Sequence, residues 1–315
     1  MSKFVLTGVD GKIGSIAADY VLKLRNPKQK LVFTSYSSDK LPREKVERWK
    51  NEGVNLMSLS YDDIELMIEV FEGAEAVSFI STWLFGVRRR TQHKNVIEAA
   101  KKAGVNRICY TSFVGAGLEK DLPMLPQDHK YTEQLIYESG LNYSIQRDYL
   151  YADNIIDLFS PSWNYCGGKW LCNSGGTPGA YVAREDCGRV FGALLLGKGE
   201  NNQVYEVSGP QAITDKEYFE KICKFSGYKG EFIPKTDEEL YNFWSKQGVP
   251  KTLEEDPSKN KSPMKLLMDD LISCGVVVRQ GLMREVTDTV KRLTGRDPLT
   301  IDQVIETYRE RLPKD

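Results

Sequence analysis

The sequence predicts an α/β protein, a doubly wound parallel sheet followed by a smaller, mostly helical C-terminal lobe. Three observations carry this expectation. Apolar runs of strand length alternate with helical patterns through the first 150 residues. Two of those runs, AVSFIS (76–81) and RICYTSF (107–113), are nearly continuous in apolar residues, as strands covered on both faces are. After about residue 150 the rhythm breaks into an aromatic- and glycine-rich segment (151–183) and then successive helical patterns.

In chain order, KFVLTGV (3–9) is a strand, and KIGSIAADYVLKL (12–24) repeats apolar residues at helical period. LVFTSY (31–36) is the second strand, and Pro42 marks the start of the charged helix after it. VNLMSL (54–59) and DDIELMIEVF (62–71) give a third strand and helix. AVSFIS is followed by TQHKNVIEAAKKAG, a helix closed by Gly104, and then by RICYTSF. A helix around 129–139 and the strand NYSIQRD (142–148) complete an alternation that implies helices on both sides of a parallel sheet. Residues 1–150 therefore read as one domain and 151–315 as a second lobe. A helix (185–196) and the strand QVYEVS (203–208), about 184–208 together, return to the main body. Helices around 215–226, 236–246, 264–274, 282–293 and 300–311 build the rest of the lobe. The polar stretch EEDPSKNKSP (254–263), with two prolines, reads as a mobile loop.

Composition narrows the function classes. The 43 Lys and Arg residues nearly balance 44 Asp and Glu, so no net field favours nucleic acid or an anionic membrane. No apolar stretch approaches the roughly 18 residues of a membrane helix, and the N-terminus enters a strand rather than a signal peptide. Six cysteines without a CxxC pair, and only two histidines, predict thiols in a reducing compartment and no metal site. A cytoplasmic protein, monomer or homodimer, is expected.

The first turn carries the chemistry. Gly8, Gly11 and Gly14 lie between the first strand and its helix in TGVDGKIG. The first permits a tight turn, a later one lets backbone approach a pyrophosphate, and the last lets the helix pack on its strand. The helix N-terminus offers unpaired N–H groups to phosphate. The spacing is GxxGxxG rather than GxGxxG, and an ordinary tight turn is the plainer alternative. Asp10 inside the turn opposes phosphate; Lys12 compensates, with Ile13 beside it. The second strand ends Thr34-Ser35-Tyr36-Ser37-Ser38-Asp39-Lys40 without the acid that usually holds an NAD ribose. Ser35, Tyr36, Ser37 and Lys40, with Arg43 behind them, favour NADP(H), with NAD(H) possible.

Several blocks then share one likeness. TGVDGKIG, NVIEAAKKAGVNRICYTSFVGA and HKYTEQLIYESGLNYSIQRDYLYADNI resemble the NmrA-like group of atypical short-chain dehydrogenases/reductases, within it the triphenylmethane reductase and NAD(P)H-quinone oxidoreductase type. The resemblance implies a Rossmann-type domain with NADP(H) along the carboxyl edge of the sheet and a small lobe closing over the nicotinamide. In the family a basic residue often stands at Tyr36, and an Arg-Asn pair stands where this chain has Arg147-Asp148. The resemblance also places a proton donor at His129, where relatives carry Lys or His; a structural histidine is the alternative.

The remaining candidates follow from position. Tyr165 and Lys169 match YxxxK, but Gly167 and Gly168 between them make a turn. Lys130 is expected to pair with Glu133, His93 to lie at the surface or behind the site, Arg147 to pin its loop through an ion pair, and VRRR (87–90) to be a solvated helix start. Ser81 and Thr82, with Thr111 and Ser112, should border the ribose and nicotinamide. Trp83, Leu84 and Phe113 could wall the reacting ring. Tyr149, Tyr151, Phe159 and Trp163 suit a flat apolar substrate if they face the cleft, and are otherwise core aromatics. The family implies an NAD(P)H-dependent reductase passing hydride to a quinone, enone, iminium ion or carbonyl. The rival is a dinucleotide-binding redox sensor that acts on a protein partner without turnover.

Overall fold

The computed structural model describes residues 2–252 and 267–314. The main layer contains β1 (Lys3–Leu6), α1 (Lys12–Leu24), β2 (Lys30–Ser35), α2 (Arg43–Asn51), β3 (Asn55–Ser58), α3 (Ile64–Phe71), β4 (Ala74–Phe79), α4 (Gly86–Lys102), β5 (Arg107–Phe113), α5 (Met124–Ser139) and β6 (Asn142–Asp148). A short α6 (Ala152–Asn154) leads to β7 (Lys169–Cys172), α7 (Arg184–Leu195), β8 (Gln203–Val207), α8 (Asp215–Ser226), β9 (Glu231–Pro234), α9 (Asp237–Lys246), α10 (Met268–Arg279), α11 (Thr289–Thr294) and α12 (Ile301–Thr307).

Seven strands form one parallel sheet in the order β3-β2-β1-β4-β5-β6-β8. Alternation along each strand sends side chains to opposite faces. Phe4, Leu6, Phe33 and Cys109 join a core with Trp49 of α2, Ala17 and Val21 of α1 and Val190 of α7. Val5, Val32, Val77, Phe79, Ile108 and Ile145 pack instead under Met67 and Phe71 of α3, Val96 and Ala100 of α4 and Ile136 of α5. Both faces are thus covered, which is why these strands read as apolar runs. The chain winds one way from β1 to β3 and the other way from β4 onward. The crevice between the carboxyl ends of β1 and β4 is the switch point where ligands bind in such sheets.

α7 and β8 belong to this layer. Gly188 and Gly192 face α1 so closely that a Cβ at Gly188 would lie 2.6 Å from the Ile16 Cβ. The other lobe holds the parallel pair β7–β9 and a core in which Leu240 and Trp244 of α9 meet Met268, Leu271 and Ile272 of α10. Threonine caps with reciprocal Glu or Gln partners start α8, α9 and α12.

Some expectations need correction. The first strand stops at Leu6 because Gly8 turns with φ +67°. The helix expected at 282–293 is confined to Thr289–Thr294. The helix expected at 264–274 runs Met268–Arg279, and residues 264–266 together with the stretch 254–263 lie outside the described residues. Gly167 and Gly168 both have positive φ, so Tyr165 and Lys169 share no helix face. No helix among the described residues is long and apolar enough to cross a membrane.

Candidate active site

The glycine turn is built as a cradle of bare backbone. The Val9 N–H donates to the Thr34 carbonyl at 3.1 Å and the Thr7 N–H to the Ser78 carbonyl at 3.0 Å, so the turn is held on both neighbouring strands. The Gly11 N–H donates to the Gly8 carbonyl at 3.0 Å, and the Gly11 carbonyl accepts from Ser15 at 2.9 Å. A Cβ at Gly14 would fall on the Gly8 carbonyl oxygen, so this position admits only glycine. Gly11, the N-cap of α1, is solvent-exposed and has no side-chain cap. Its neighbouring N–H groups are left for an external acceptor. That arrangement fits a pyrophosphate.

At the end of β2 the Ser35 hydroxyl is buried without a protein partner. Tyr36 is 74% exposed, Ser37 donates to Asp39, and Lys40 reaches solvent. Lys45 of α2, missed from the sequence, donates its amine to the Ser15 hydroxyl in the first turn of α1. Lys12 is engaged with Asp157, which also meets Arg184 at 3.3 Å and Arg311 at 2.9 Å. Burial works to raise the Asp157 carboxyl, but these cations outweigh it and hold it below the usual range.

A cleft of about 540 Å³ opens at the carboxyl ends of β4 and β5. It gathers Ile13 from the glycine turn, Ser81, Thr82 and Trp83 after β4, Thr111, Ser112 and Phe113 of β5, His129 of α5 and Tyr151. Its far wall comes from the other lobe, with Leu158, Pro250, Leu267, Asp270 and Cys274. The Ser81 N–H donates to the Thr111 hydroxyl at 2.8 Å, and Ser112 donates to Glu133. Trp83 is 76% exposed at the mouth. Leu84 is not among the lining residues, and Phe159 lines a smaller cavity behind the cleft instead.

Other candidates are placed elsewhere. Trp163 is fully buried, stacked on Trp170 at 5.5 Å and edged by Phe219 at 4.9 Å, because the lobe uses it as core. Tyr149 is buried with its N–H on the Val207 carbonyl and does not line the cleft. Lys130 reaches the Leu118 carbonyl and Glu119, not Glu133, since Glu133 takes Arg147 at 2.9 and 2.6 Å. Arg147 does pin its loop through that ion pair. Asp148 is wholly buried, accepting from Gln146 at 2.6 Å and the Tyr151 hydroxyl at 2.8 Å. Burial pushes its carboxyl up to about 7.

VRRR is not simply a solvated start, and His93 is not at the surface. Arg89 is buried in the cleft floor, stacked 4.5 Å over the Phe85 ring, with Nη2 donating to the Thr82 carbonyl at 2.7 Å. Its Nη1 lies 3.4 Å from His129 Nε2. A guanidinium only donates, so Nε2 is the acceptor, and Nδ1–H faces the Tyr110 hydroxyl at 2.9 Å. Behind it, His93 Nε2 accepts from the Thr82 N–H at 3.2 Å, and its Nδ1 meets Thr132 at 2.8 Å. Burial, then Arg89, holds both imidazoles well below the usual histidine range. His129 is therefore a neutral ring with both nitrogens engaged. Arg89 lies one helical step before His93, Val96, Ile97 and Ala100, a buried stripe visible in the sequence. Asp270 had no such signal.

Residues 8–154 match the NAD(P)H-binding family. An NmrA-like family domain-containing oxidoreductase of Aspergillus flavus is 24% identical over 94% of this chain and 92% of its own length. The chain is similar over nearly its whole length to an NmrA-like oxidoreductase, and its first half matches an NAD(P)H-binding family. Quinone oxidoreductase 2 of Escherichia coli is 26% identical over 70% of this chain and 74% of that protein. Among solved structures, an NADPH-dependent quinone oxidoreductase of Escherichia coli, complexed with NADPH, superposes with a TM-score of 0.81 over 98% of this chain and 100% of that chain, at 23% identity. Triphenylmethane reductase of Citrobacter sp., complexed with NADP(H), gives 0.75 over 98% and 99%, at 22% identity.

Proposed function

We propose that this oxidoreductase reduces small, flat, conjugated electrophiles (quinones, enones, iminium ions or carbonyls) with NADPH. The observation that carries the reading is a cleft that begins at Ile13, beside the glycine turn. Its rim and wall present Trp83, Phe113 and Tyr151. The names of the quinone and triphenylmethane reductases it resembles point to acceptors of the same flat, conjugated kind. NADPH supplies the two-electron hydride when bound. The chain's residues supply the rest. Gly8, Gly11 and Gly14 bare the backbone for the pyrophosphate, with Lys12 beside it. Ser35, Tyr36, Ser37, Lys40 and Lys45 receive the adenosine end. Ser81, Thr82, Thr111 and Ser112 border the nicotinamide ribose. Trp83, Phe113 and Tyr151 sandwich the acceptor and exclude water, so that positioning carries most of the rate.

His129 acts in this reading as a positioning residue. A neutral imidazole whose Nε2 accepts from Arg89 has no proton to give at that atom, and burial beside a guanidinium opposes the imidazolium. It meets Arg89 at the cleft floor and the buried Tyr110 behind it. The thiols and the need for reduced cofactor suit the cytoplasm.

The test is NADPH oxidation, with and without oxygen, against a panel of quinones, enones and cationic triarylmethane dyes, beside calorimetry of NADPH and NADH. Stimulated oxidation by at least one acceptor class is expected, with NADPH bound more tightly than NADH. Tight cofactor binding with no stimulated oxidation would replace this reading with that of a redox sensor.

A further inference from the structure

The cleft contains an ionisable group that the reductase reading has not used. Asp270 stands in the first turn of α10, on the wall contributed by the C-terminal lobe, and lines the same cavity as Thr82, Phe113, Arg89 and His129. Its carboxyl reaches back to the Leu267 N–H at the helix N-cap, a one-sided capping contact that fixes the side chain and leaves acceptor capacity free. Among the described residues no side chain hydrogen-bonds it. Across the cleft, the Nε of Arg89 is buried without a partner, although its other nitrogens hold Thr82 and His129. A carboxyl and a guanidinium thus share one apolar cavity without closing on each other.

We propose that Asp270 is the proton donor of this site, giving its proton to the acceptor oxygen as the hydride arrives. The inference rests on the reductase reading. With 1,4-benzoquinone the C4–H bond of NADPH breaks with its electron pair and a new O–H bond forms at one quinone oxygen. The ring becomes aromatic as a pair moves to the far oxygen. The Asp270 O–H bond breaks to protonate that oxygen. NADPH is oxidised to NADP⁺, the quinone is reduced by two electrons, and the carboxylate regains its proton from water in the cleft. Arg89 steadies the carboxylate in between. The charged and titratable groups bearing on Asp270 are Arg89 of α4, Asp269 and Cys274 on its own helix, and neutral His129 across the cavity. Burial raises its carboxyl to about 6, with Asp269 adding to the rise and Arg89 opposing it, which suits a donor working near neutrality.

The experiment compares wild type with Asp270→Asn, an isosteric change that keeps an acceptor for the Leu267 N–H. Two acceptors are read at saturation: 1,4-benzoquinone, which needs hydride and proton, and a cationic triarylmethane dye, which needs hydride alone. The variant should lose benzoquinone turnover by at least about tenfold, lose the fall in rate above about pH 6, and keep its dye turnover. A wild-type-minus-variant infrared difference should show a carboxylic acid band titrating near pH 6. Equal loss with both acceptors, no loss with either, or no such band would overturn the proposal. Dye reduction by wild type without benzoquinone reduction would also overturn it; if wild type reduces no acceptor of the whole panel, the reductase reading falls, and this inference with it.

Discussion

Gly11 and Gly14 sit three residues apart on one turn and do different work. A Cβ at Gly14 collides with the backbone carbonyl of Gly8, which no side-chain rearrangement relieves. Gly14→Ala is expected to lower folding stability by about 1–3 kcal/mol in urea titrations. At Gly11 a Cβ would stand 3.3 Å from the same oxygen and point toward solvent, so Gly11→Val should keep the unfolding midpoint within error. What it should lose is NADPH binding, by more than about tenfold in calorimetry, because the bulk lies where the pyrophosphate approaches. Equal behaviour of the two variants would contradict the assignment of the turn. His129 offers a second test at this scale. As a positioning residue, His129→Asn should lower kcat yet leave the shape of the pH–rate profile unchanged. A profile that loses its acid or base limb would make the imidazole a proton carrier after all.

At the scale of elements, α1 serves two masters. In the proposed reading it presents its N-terminus to the cofactor, and it packs along α7 through Gly188 and Gly192. Gly188→Leu should wedge the two helices apart, costing about 1–3 kcal/mol and weakening NADPH binding although the residue is remote from the cleft. Binding unchanged in a folded variant would show that α1 is held by its turn alone. The same scale explains what was legible. Strand alternation and the glycine turn identified β1 to β6 and α1, since each depends on neighbours in sequence. The floor of the cleft was partly legible: Arg89 continues the buried stripe of α4, but a run of three arginines reads more simply as a solvated surface. Asp270 and the burial of Trp163 were illegible. Both depend on how the second lobe folds back, and no local pattern distinguishes a cleft carboxyl from a helix-start acid, or a core tryptophan from a cleft tryptophan.

For the molecule as a whole, buried ionisable groups set the pH response. Asp148 sits at the end of β6 beneath the cleft, with its carboxyl raised from 3.8 to about 7 by burial. Between those values the native state keeps a proton that the unfolded chain has released. The stabilisation from this group is complete below about pH 4 and is lost as pH rises through about 7. Asp148→Asn, which retains the contacts to Gln146 and Tyr151, should gain roughly 1–3 kcal/mol over wild type at pH 8 and little at pH 4. His93 and His129 act oppositely: held neutral by burial, they support the fold above about pH 6.5 and cease to do so as pH falls. Thermal melts of both proteins from pH 4 to 8 separate the two effects, and parallel curves would contradict the account of Asp148. The cleft itself is best tested by isotope. NADPH carrying deuterium on the transferred C4 position is incubated with the enzyme and a cationic triarylmethane dye, and the leuco product is weighed by mass spectrometry. Direct passage within one cleft predicts deuterium at the new methine carbon; leuco product without label, or NADPH oxidised with no product formed, would contradict it.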